Sequence, residues 1–330
     1  MKKILVTGGA GFIGGNFIHY MLRHYPTYQI YNLDALTYAG ELTKHSAIES
    51  SENYHFVMAD ITDNQEILQL FEKERFDFVV HFAAESHVDR SITDAGVFVR
   101  TNVLGTHVLL EAARKVGITK FVHISTDEVY GELDFDPTTF FTEETPLKPN
   151  SPYSASKASS DLLVQAYFHT YGLPMNITRC SNNYGPYHYP EKLIPLTISR
   201  VLNNEKVPVY GDGRNIRDWL HVFDHCTAID LVLHEGATGE VYNIGGHNER
   251  TNLQVVKTII QALGKTEDLI ELVADRLGHD KRYAIDSTKL AQLGWQPKYT
   301  FEIGIDETIK WYVENKVWIN QANSRKLHMS

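Results

Sequence analysis

The sequence has few cysteines, a deficit of basic charge and no long apolar run. Only Cys180 and Cys226 occur among its 330 residues, and neither belongs to a CxxC pair, so we expect neither a disulfide framework nor a metal site. Asp and Glu number 41 against 31 for Lys and Arg, giving a net charge of −10, which disfavours binding to nucleic acid or an anionic membrane. No stretch approaches the roughly 18 uncharged apolar residues of a membrane helix. These absences predict a cytoplasmic protein.

Composition and periodicity predict a doubly wound α/β fold. Hydrophobic residues make up 43% of the chain and charged residues 22%, which is typical of globular proteins. Through the first 180 residues, short apolar runs alternate with helix-length segments, a pattern that indicates a parallel sheet covered by helices on both faces. The runs predicted as buried strands are Ile4–Thr7, Ile30–Leu33, Phe56–Ala59, Phe78–Phe82, Phe121–Ile124 and Asn176–Arg179.

The length favours two domains, because it exceeds that of one ordinary domain. Helices are predicted over Phe12–His24 and over 97–116, and the pattern becomes irregular after Tyr184. Further helices are predicted near 253–263 and 303–314. We therefore expect a Rossmann-type domain over 1–183, with returning segments near 222–246 and 303–316, and a smaller mixed α/β domain in the remainder of 184–330.

A glycine-rich turn follows the first predicted strand and opens the first predicted helix. Gly8, Gly11 and Gly14 stand at its GxxGxxG positions, where backbone amides and the positive helix end can hold a pyrophosphate. Glycines alone could serve a tight turn. Asp34 follows the second strand, however, where a carboxylate accepts hydrogen bonds from ribose hydroxyls and repels a 2′-phosphate, which favours NAD over NADP. Asp60 ends the third strand as a candidate adenine contact or a helix N-cap.

A second pattern places a tyrosine and a lysine on one helix face. Tyr153 and Lys157 are four residues apart, so an ammonium near the phenol would lower its pKa toward that of a useful base, with help from a cationic nicotinamide ring. Tyr312 and Lys316 share this spacing in an amphipathic stretch, where surface pairing suffices. Tyr153 differs because it lies downstream of Ser125-Thr126, at a strand end where open α/β sheets place their sites.

These motifs together carry a family resemblance. TGGAGFIG, the strand-end Asp34, Ser125-Thr126 and YSASK resemble the extended short-chain dehydrogenase/reductase family, over nearly the whole chain. Four further segments narrow the resemblance to the nucleotide-sugar 4,6-dehydratases of that family: AAESHVDRS at 83–91, STDEVYG at 125–131, NNYGP at 182–186 and EKLIP at 191–195. The resemblance implies an NAD-dependent lyase that acts on dTDP-glucose, at the start of the route to dTDP-L-rhamnose and other deoxysugars.

The resemblance also implies a role for each reacting group. Tyr153 would take the proton of the 4-hydroxyl, with Thr126 bonded to the same oxygen and Lys157 holding the ribose. Oxidation at C4 acidifies the hydrogen on C5, so a base can remove it while an acid protonates the departing C6 hydroxyl. Glu128 would be that base and Asp127 that acid. Outside this motif, an adjacent Asp and Glu are more often surface charges.

The binding residues are carried over from the resemblance. Those implied for NAD are Gly8, Gly11, Phe12, Ile13, Gly14, Asp34, Ala35, Leu36, Thr37, Asp60, Ile61, Phe82, Ala83, Ala84, Glu85, Thr101, Tyr153, Lys157 and Asn183. Those implied for the nucleotide sugar are Ser86, His87, Thr126, Asn182, Lys192, Leu193, Pro208, Tyr210, Arg217, Asn252, Arg276 and His279. A homodimer through helices near 97–116 and 153–171 is implied as well. The chain departs from the family pattern at Gly15, usually Ser, and Leu277, usually Pro.

Two other readings remain open. A nucleotide-sugar 4-epimerase, or a different sugar dehydratase, would share the glycine loop, Tyr153 and Lys157. An epimerase has no water to eliminate and would not require Asp127-Glu128. A non-catalytic NAD-binding sensor would be expected to lose Tyr153, Lys157 or the carboxyl groups, and all of these are present.

Overall fold

The core of the molecule is a parallel sheet of seven strands, seen in a computed structural model that describes residues 1–319 and 321–322. The seven strands are β1 (Lys3–Thr7), β2 (Gln29–Asp34), β3 (Tyr54–Met58), β4 (Phe78–His81), β5 (Lys120–Thr126), β6 (Met175–Cys180) and β10 (Val241–Ile244). Along the sheet they follow the order β10-β6-β5-β4-β1-β2-β3, and every neighbouring pair is parallel. This confirms the predicted doubly wound α/β fold.

Helices cover both faces of this sheet. The helices are α1 (Phe12–His24), α2 (Asn64–Glu74), α3 (Val88–Thr93), α4 (Ala95–Phe98), α5 (Thr106–Val116), α6 (Pro152–Tyr171), α7 (Leu193–Leu202), α8 (Val222–Glu235), α9 (Asn252–Ala262), α10 (Thr288–Gln292) and α11 (Phe301–Glu314). Helices α1 and α8 pack together on one face. Helices α2, α5 and α6 pack on the other face. Apolar side chains on both sides of the central strands explain their continuous hydrophobic runs.

The six predicted strands are all present, but one of them is less buried than expected. Strand β3 lies at the edge of the sheet and pairs only with β2. Its last residue, Met58, is 68% exposed. The prediction of a buried strand was wrong here because an apolar run does not reveal whether a strand is central or at an edge. Strand β10 is the seventh strand, which the sequence analysis did not identify.

The predicted helix over 97–116 is present, with an unexpected middle turn. Residues Val99–Gly105 are π-helical and join α4 to α5. Asn102 in this turn is buried, and its amide bonds both the backbone N–H and the carbonyl of Glu85, at 2.8 and 3.0 Å. The π turn therefore ties this helix to the segment after β4. Such turns occur frequently at functional sites.

The second half of the chain builds smaller sheets beside the main one. Strands β7 (Asn182–Tyr184), β9 (Ile216–His221) and β11 (Glu249–Thr251) form one sheet; β8 (Val207–Tyr210) and β12 (Ile270–Val273) form another. Helix α11 packs against α7, α9 and β9, through a cluster that includes Phe301, Ile305 and Tyr184. Of the two segments expected to return to the first domain, 222–246 contains α8, which packs on the large sheet, and β10, which is one of its strands, whereas 303–316 lies mostly in α11. Among the described helices, none is long and apolar enough to cross a membrane.

The order of the strands reverses direction beside β1 in the large sheet. The chain moves outward from β1 to β2 and β3, and then returns to place β4 on the other side of β1. A crevice opens at such a reversal, outside the carboxyl ends of the strands, and ligands of open α/β sheets bind there.

Candidate active site

A cavity of about 530 Å³ lies at this crevice and extends into the second half of the chain. Of the 33 different residues named from the sequence for NAD, substrate and chemistry, 31 line the cavity, and the other two are Leu36 and Asp127. Leu36 has a left-handed backbone, with φ of +51°, and turns the chain beneath Asp34. Asp127 is buried behind the wall.

The cavity therefore brings together residues from the glycine loop, from the ends of the central strands and from the second half of the chain.

Gly8 leaves the backbone of the glycine loop bare and lets it pack closely against the segment after β4. Gly8 has φ of +71°, and a Cβ there would lie 2.6 Å from the backbone nitrogen of Ala83. Helix α1 begins after Gly11 without a side-chain cap, and its first turn carries no acidic residue. Its first amides and the positive end of the helix thus face the cavity, an arrangement that suits a pyrophosphate.

Asp34 is held at the end of β2 by backbone amides. Its carboxylate accepts hydrogen bonds from the N–H groups of Ala10 and Leu36, at 3.0 and 2.8 Å. Burial raises the pKa of Asp34, and these two hydrogen bonds oppose the rise. Asp60 also lines the cavity, whereas the N-cap of α2 is Asp63. The helix-cap alternative for Asp60 is therefore wrong.

Two residues that support the glycine loop were not identified from the sequence. The Lys44 ammonium donates hydrogen bonds to the carbonyls of Ala10 and Gly11, both at 2.7 Å. A His45 ring nitrogen lies 2.8 Å from the carbonyl oxygen of Gly9. At Gly15, a Cβ would lie 2.7 Å from the side chain of Lys44, so the departure from the family pattern leaves room for this lysine.

Helix α6 presents Tyr153 and Lys157 to the cavity. Ser151 and Ser154 form a capping box at its start, with Pro152 in the first turn. The Lys157 ammonium donates a hydrogen bond to the carbonyl of Ile124 at 2.8 Å, and burial lowers the pKa of Lys157 to about 8.

The pKa of Tyr153 differs from the expectation. Burial and the negative charge of Glu128 raise it well above its usual value, while a hydrogen bond with Thr126 opposes the rise. The prediction that Lys157 lowers the pKa of Tyr153 was wrong. The Lys157 ammonium is directed to the Ile124 carbonyl, and burial has the largest effect on the phenol. Any lowering has to come from a cationic ligand beside the ring.

The two carboxyl groups after β5 have different surroundings. Thr126 begins the short turn over Asp127–Tyr130, and its hydroxyl donates to Asp127 and accepts from the N–H of Glu128, both at 3.3 Å. Burial raises the pKa of Asp127 well above its usual value, and the negative charges of Glu128 and Asp218 add to the rise. Burial raises the pKa of Glu128 too, but nearby cations oppose it: Arg276, Arg217 and Lys192.

Those three cations come from separate parts of the second half of the chain. Lys192 precedes α7 and donates to the Ser86 carbonyl at 3.0 Å. Arg217 on β9 is buried and donates to the Asp280 carbonyl at 3.0 Å. Arg276 follows β12 and lies 3.5 Å from the Asp89 carboxylate. An acidic chain thus concentrates positive charge at one end of its cavity, where an anionic group can be held.

Comparisons with known proteins agree with this geometry. The GDP-mannose 4,6 dehydratase family model matches residues 5–308. A dTDP-glucose 4,6-dehydratase of Xanthomonas campestris is 53% identical, over 97% of this chain and 95% of that protein. The chain belongs to the dTDP-glucose 4,6-dehydratase family. This confirms the family predicted from the sequence.

Two solved structures of that family extend the agreement to three dimensions. The Bacillus anthracis dTDP-glucose 4,6-dehydratase, solved in complex with NAD, is 54% identical with a TM-score of 0.91, covering 98% of this chain and 100% of that one. The Streptomyces venezuelae enzyme, solved with NAD and TYD bound, is 47% identical with a TM-score of 0.94, covering 97% of this chain and 99% of that one.

Several cavity residues were not identified from the sequence. They include Tyr38, Lys44, Trp219 and Tyr283. None belongs to a motif with a chemical signature, and only the fold brings them to the cavity.

His221 and His225 have a spacing that can place two metal ligands on one helix face. Across the described part of the chain, however, no group of three His, Cys, Asp or Glu is placed to hold a metal ion.

Proposed function

We propose that this protein converts dTDP-glucose into dTDP-4-keto-6-deoxyglucose, with NAD as a tightly bound cofactor that is regenerated in each turnover. The observation that carries the proposal is the pair Asp127 and Glu128 at the end of β5. Burial raises the pKa of both carboxyl groups, but nearby negative charges add to the rise at Asp127 and nearby cations oppose it at Glu128; Glu128 also shares one cavity with Tyr153, Lys157 and the glycine loop.

The cofactor site is formed by the first half of the chain. The bare backbone at Gly8 and the uncapped start of α1 fit a pyrophosphate, and Asp34 fits the adenosine ribose. Lys157, at the end of the same cavity, would hold the second ribose. When bound, NAD⁺ accepts a hydride from C4 of the sugar and returns it to C6, so the overall reaction involves no net oxidation.

Tyr153 and Thr126 act on the 4-hydroxyl group. The Tyr153 phenolate takes the hydroxyl proton, and the Thr126 hydroxyl bonds to the same oxygen. Because burial and Glu128 raise the pKa of Tyr153, the phenolate needs positive charge beside it, which the cationic nicotinamide ring of bound NAD⁺ would supply.

Glu128 and Asp127 perform the elimination. The ketone at C4 acidifies the C5 hydrogen, and Glu128 removes it as a carboxylate. Asp127 donates its proton to the C6 hydroxyl, which departs as water. Return of a hydride to C6 and of the proton from Glu128 to C5 then completes the product, so the sugar loses one water in total. Two carboxyl groups whose pKa values are separated by their surroundings can hold these opposite roles.

The second half of the chain supplies the nucleotide-sugar site. Lys192, Arg217 and Arg276 would neutralise the diphosphate, and the remaining substrate residues named from the sequence line the same part of the cavity. In this proposal, residues 184–330 form the substrate domain, apart from the segment 222–246, which contributes to the NAD-binding domain.

We also propose a cytoplasmic homodimer. Both cysteines are free and buried, which suits a reducing compartment. Val99, Leu104 and Leu162 are 56%, 45% and 57% exposed on the two segments predicted to form the interface, whereas Leu109 is fully buried in the core. Burying these apolar side chains against a second copy would stabilise the dimer.

Mass spectrometry of the reaction product tests the function. Incubation of the purified protein with dTDP-glucose should remove one water from the sugar nucleotide without accumulation of NADH. A galacto epimer of unchanged mass would show a 4-epimerase. Bound NAD with neither product would point to another sugar nucleotide or to a sensor.

A further inference from the structure

A layer of buried polar groups lies beneath Lys157, on the face of the large sheet that α6 covers. It consists of His123 on β5, Asp161 on α6 and Arg179 on β6, and all three side chains are at most 2% exposed. Buried charges are costly unless they are paired. The proposed reaction steps use none of these three residues, so their presence so close to a reacting lysine requires another explanation.

The contacts form a chain that leads from the core to the lysine. Arg179 Nε lies 2.8 Å from Asp161 Oδ2, and His123 Nε2 lies 3.4 Å from Asp161 Oδ1. The same His123 nitrogen lies 3.5 Å from Lys157 Nζ. His123 therefore stands between the carboxylate of Asp161 and the ammonium of Lys157.

The hydrogen bonds around the His123 imidazole determine which of its nitrogens carries the proton. Burial lowers the pKa of His123 to about 4, so the ring is neutral. The hydroxyl of Ser160 donates to the Lys157 carbonyl at 2.8 Å and so is left to accept from His123 Nε2, 3.2 Å away. With its proton on Nε2, the ring faces both Ser160 and the Asp161 carboxylate as a donor. It cannot accept from Lys157, whose ammonium keeps one hydrogen bond to Ile124 and directs its other hydrogens elsewhere.

We propose that Asp161, acting through His123, is a positioning residue for Lys157. Its negative charge keeps the buried lysine protonated, and the imidazole between them prevents a direct ion pair that would draw the ammonium into the core. The ammonium then remains directed to the cavity. This role rests on the proposed function of Lys157 in holding the cofactor.

The electrostatics around Lys157 support the charge component of this role. Burial lowers the pKa of Lys157 to about 8, and the negative charge of Asp161 opposes that lowering. Loss of this charge would move the pKa further down, so the lysine would become neutral at a lower pH. Among the titratable groups on the elements packed around Lys157, those near it include Tyr153 and Asp161 on α6, His123 on β5, His81 on β4, and Arg179 and Cys180 on β6.

Exchange of bound NAD for radiolabelled NAD⁺, measured on the holoprotein as a function of pH, tests the proposal. In the parent protein, exchange should accelerate at alkaline pH as Lys157 loses its proton. In Asp161→Asn, this acceleration should occur about one pH unit lower. Asp230→Asn is the matched control, because Asp230 is also hydrogen-bonded but lies on α8, on the opposite face of the sheet. Asp230→Asn should leave the midpoint of the pH dependence of exchange unchanged.

A second variant keeps the test valid if Asp161→Asn does not fold. His123→Ala preserves the Asp161–Arg179 pair and allows Lys157 to reach the carboxylate, so the midpoint should rise while exchange becomes faster at neutral pH. If either variant changed the rate of NAD exchange by the same factor at every pH, with no shift in the midpoint of its pH dependence, the proposal would be overturned. The role of these residues would then be purely structural. Failure of the proposed function would appear differently, as absence of water loss in the parent protein.

Discussion

The carboxyl groups of Asp127 and Glu128 differ in the charges that surround them. Around Asp127 the wall is closed and carries the negative charges of Glu128 and Asp218, whereas around Glu128 the wall opens to the cavity and gathers Arg276, Arg217 and Lys192. Neighbours in sequence thus occupy different electrostatic environments, although burial raises the pKa of both. The comparison shows that the cations in the second half of the chain also oppose the rise in the pKa of Glu128.

Replacing the base should have the largest effect. Glu128→Gln keeps the shape of the side chain but cannot accept the C5 proton, so we expect kcat to fall by about 10²- to 10⁴-fold while NAD stays bound. Loss of water, followed by mass spectrometry, measures this. Glu132→Gln, which alters a carboxylate in the following loop, is the control. Dehydration at the parent rate in Glu128→Gln would remove Glu128 from the mechanism.

Replacing the acid should have a smaller effect that depends on the leaving group. Asp127→Asn cannot protonate the departing hydroxyl, and we expect kcat to fall by about a hundredfold. A substrate analogue with fluoride at C6 should recover much of this loss, because fluoride leaves without a proton. The same analogue should not rescue Glu128→Gln. Equal rescue of both variants would contradict the division of roles.

Removing a cation should move the pH profile as well as weaken binding. Arg276 opposes the rise in the pKa of Glu128, so Arg276→Gln should raise that pKa and shift the acidic limb of the kcat profile to higher pH. Loss of a charged contact to the diphosphate should also raise KM about tenfold. Arg214→Gln is the control, since Arg214 is exposed and pairs with Asp212. An unchanged acidic limb would separate Arg276 from the carboxyl pair.

The smallest effect is expected for Asp218. Its carboxylate accepts hydrogen bonds from the N–H groups of Gly246 and Asn248, at 2.9 and 2.6 Å, and its charge raises the pKa of Asp127. Asp218→Asn should lower the pKa of Asp127 and move the loss of activity at alkaline pH to lower pH, by about one unit or less. A profile that moves in the opposite direction would show that Asp218 does not act on Asp127 through its charge.

Local patterns in the sequence predicted the architecture well. Apolar runs and helical periodicity identified six strands of the large sheet, and motif spacing identified Tyr153 and Lys157 on one helix. The exposure of β3 and the short strand β10 were not predicted, because sheet order is a property of the whole chain. The burial of Asp127 behind the cavity wall likewise depends on segments far from it in sequence.

The electrostatics of the site could be predicted only in part. Asp127 and Glu128 were identified by their motif, yet their separation in pKa depends on Asp218 and Arg276, which no local pattern connects to them. Lys44 was missed for the same reason, since its stem fills the space left by Gly15 only in the folded protein. The prediction of a lowered Tyr153 pKa was wrong, because burial raises this pKa and the Lys157 ammonium is hydrogen-bonded to the Ile124 carbonyl instead.

Isotope-edited infrared spectroscopy at neutral pH tests the central claim most directly, because it distinguishes a protonated carboxyl group from a carboxylate. We predict a carbonyl band of a protonated acid that moves when aspartate carries the isotope label and disappears in Asp127→Asn, but persists in Glu128→Gln. A band that moves with labelled glutamate and disappears in Glu128→Gln would contradict the account, since Glu128 would then be the neutral acid and Asp127 the ionised base.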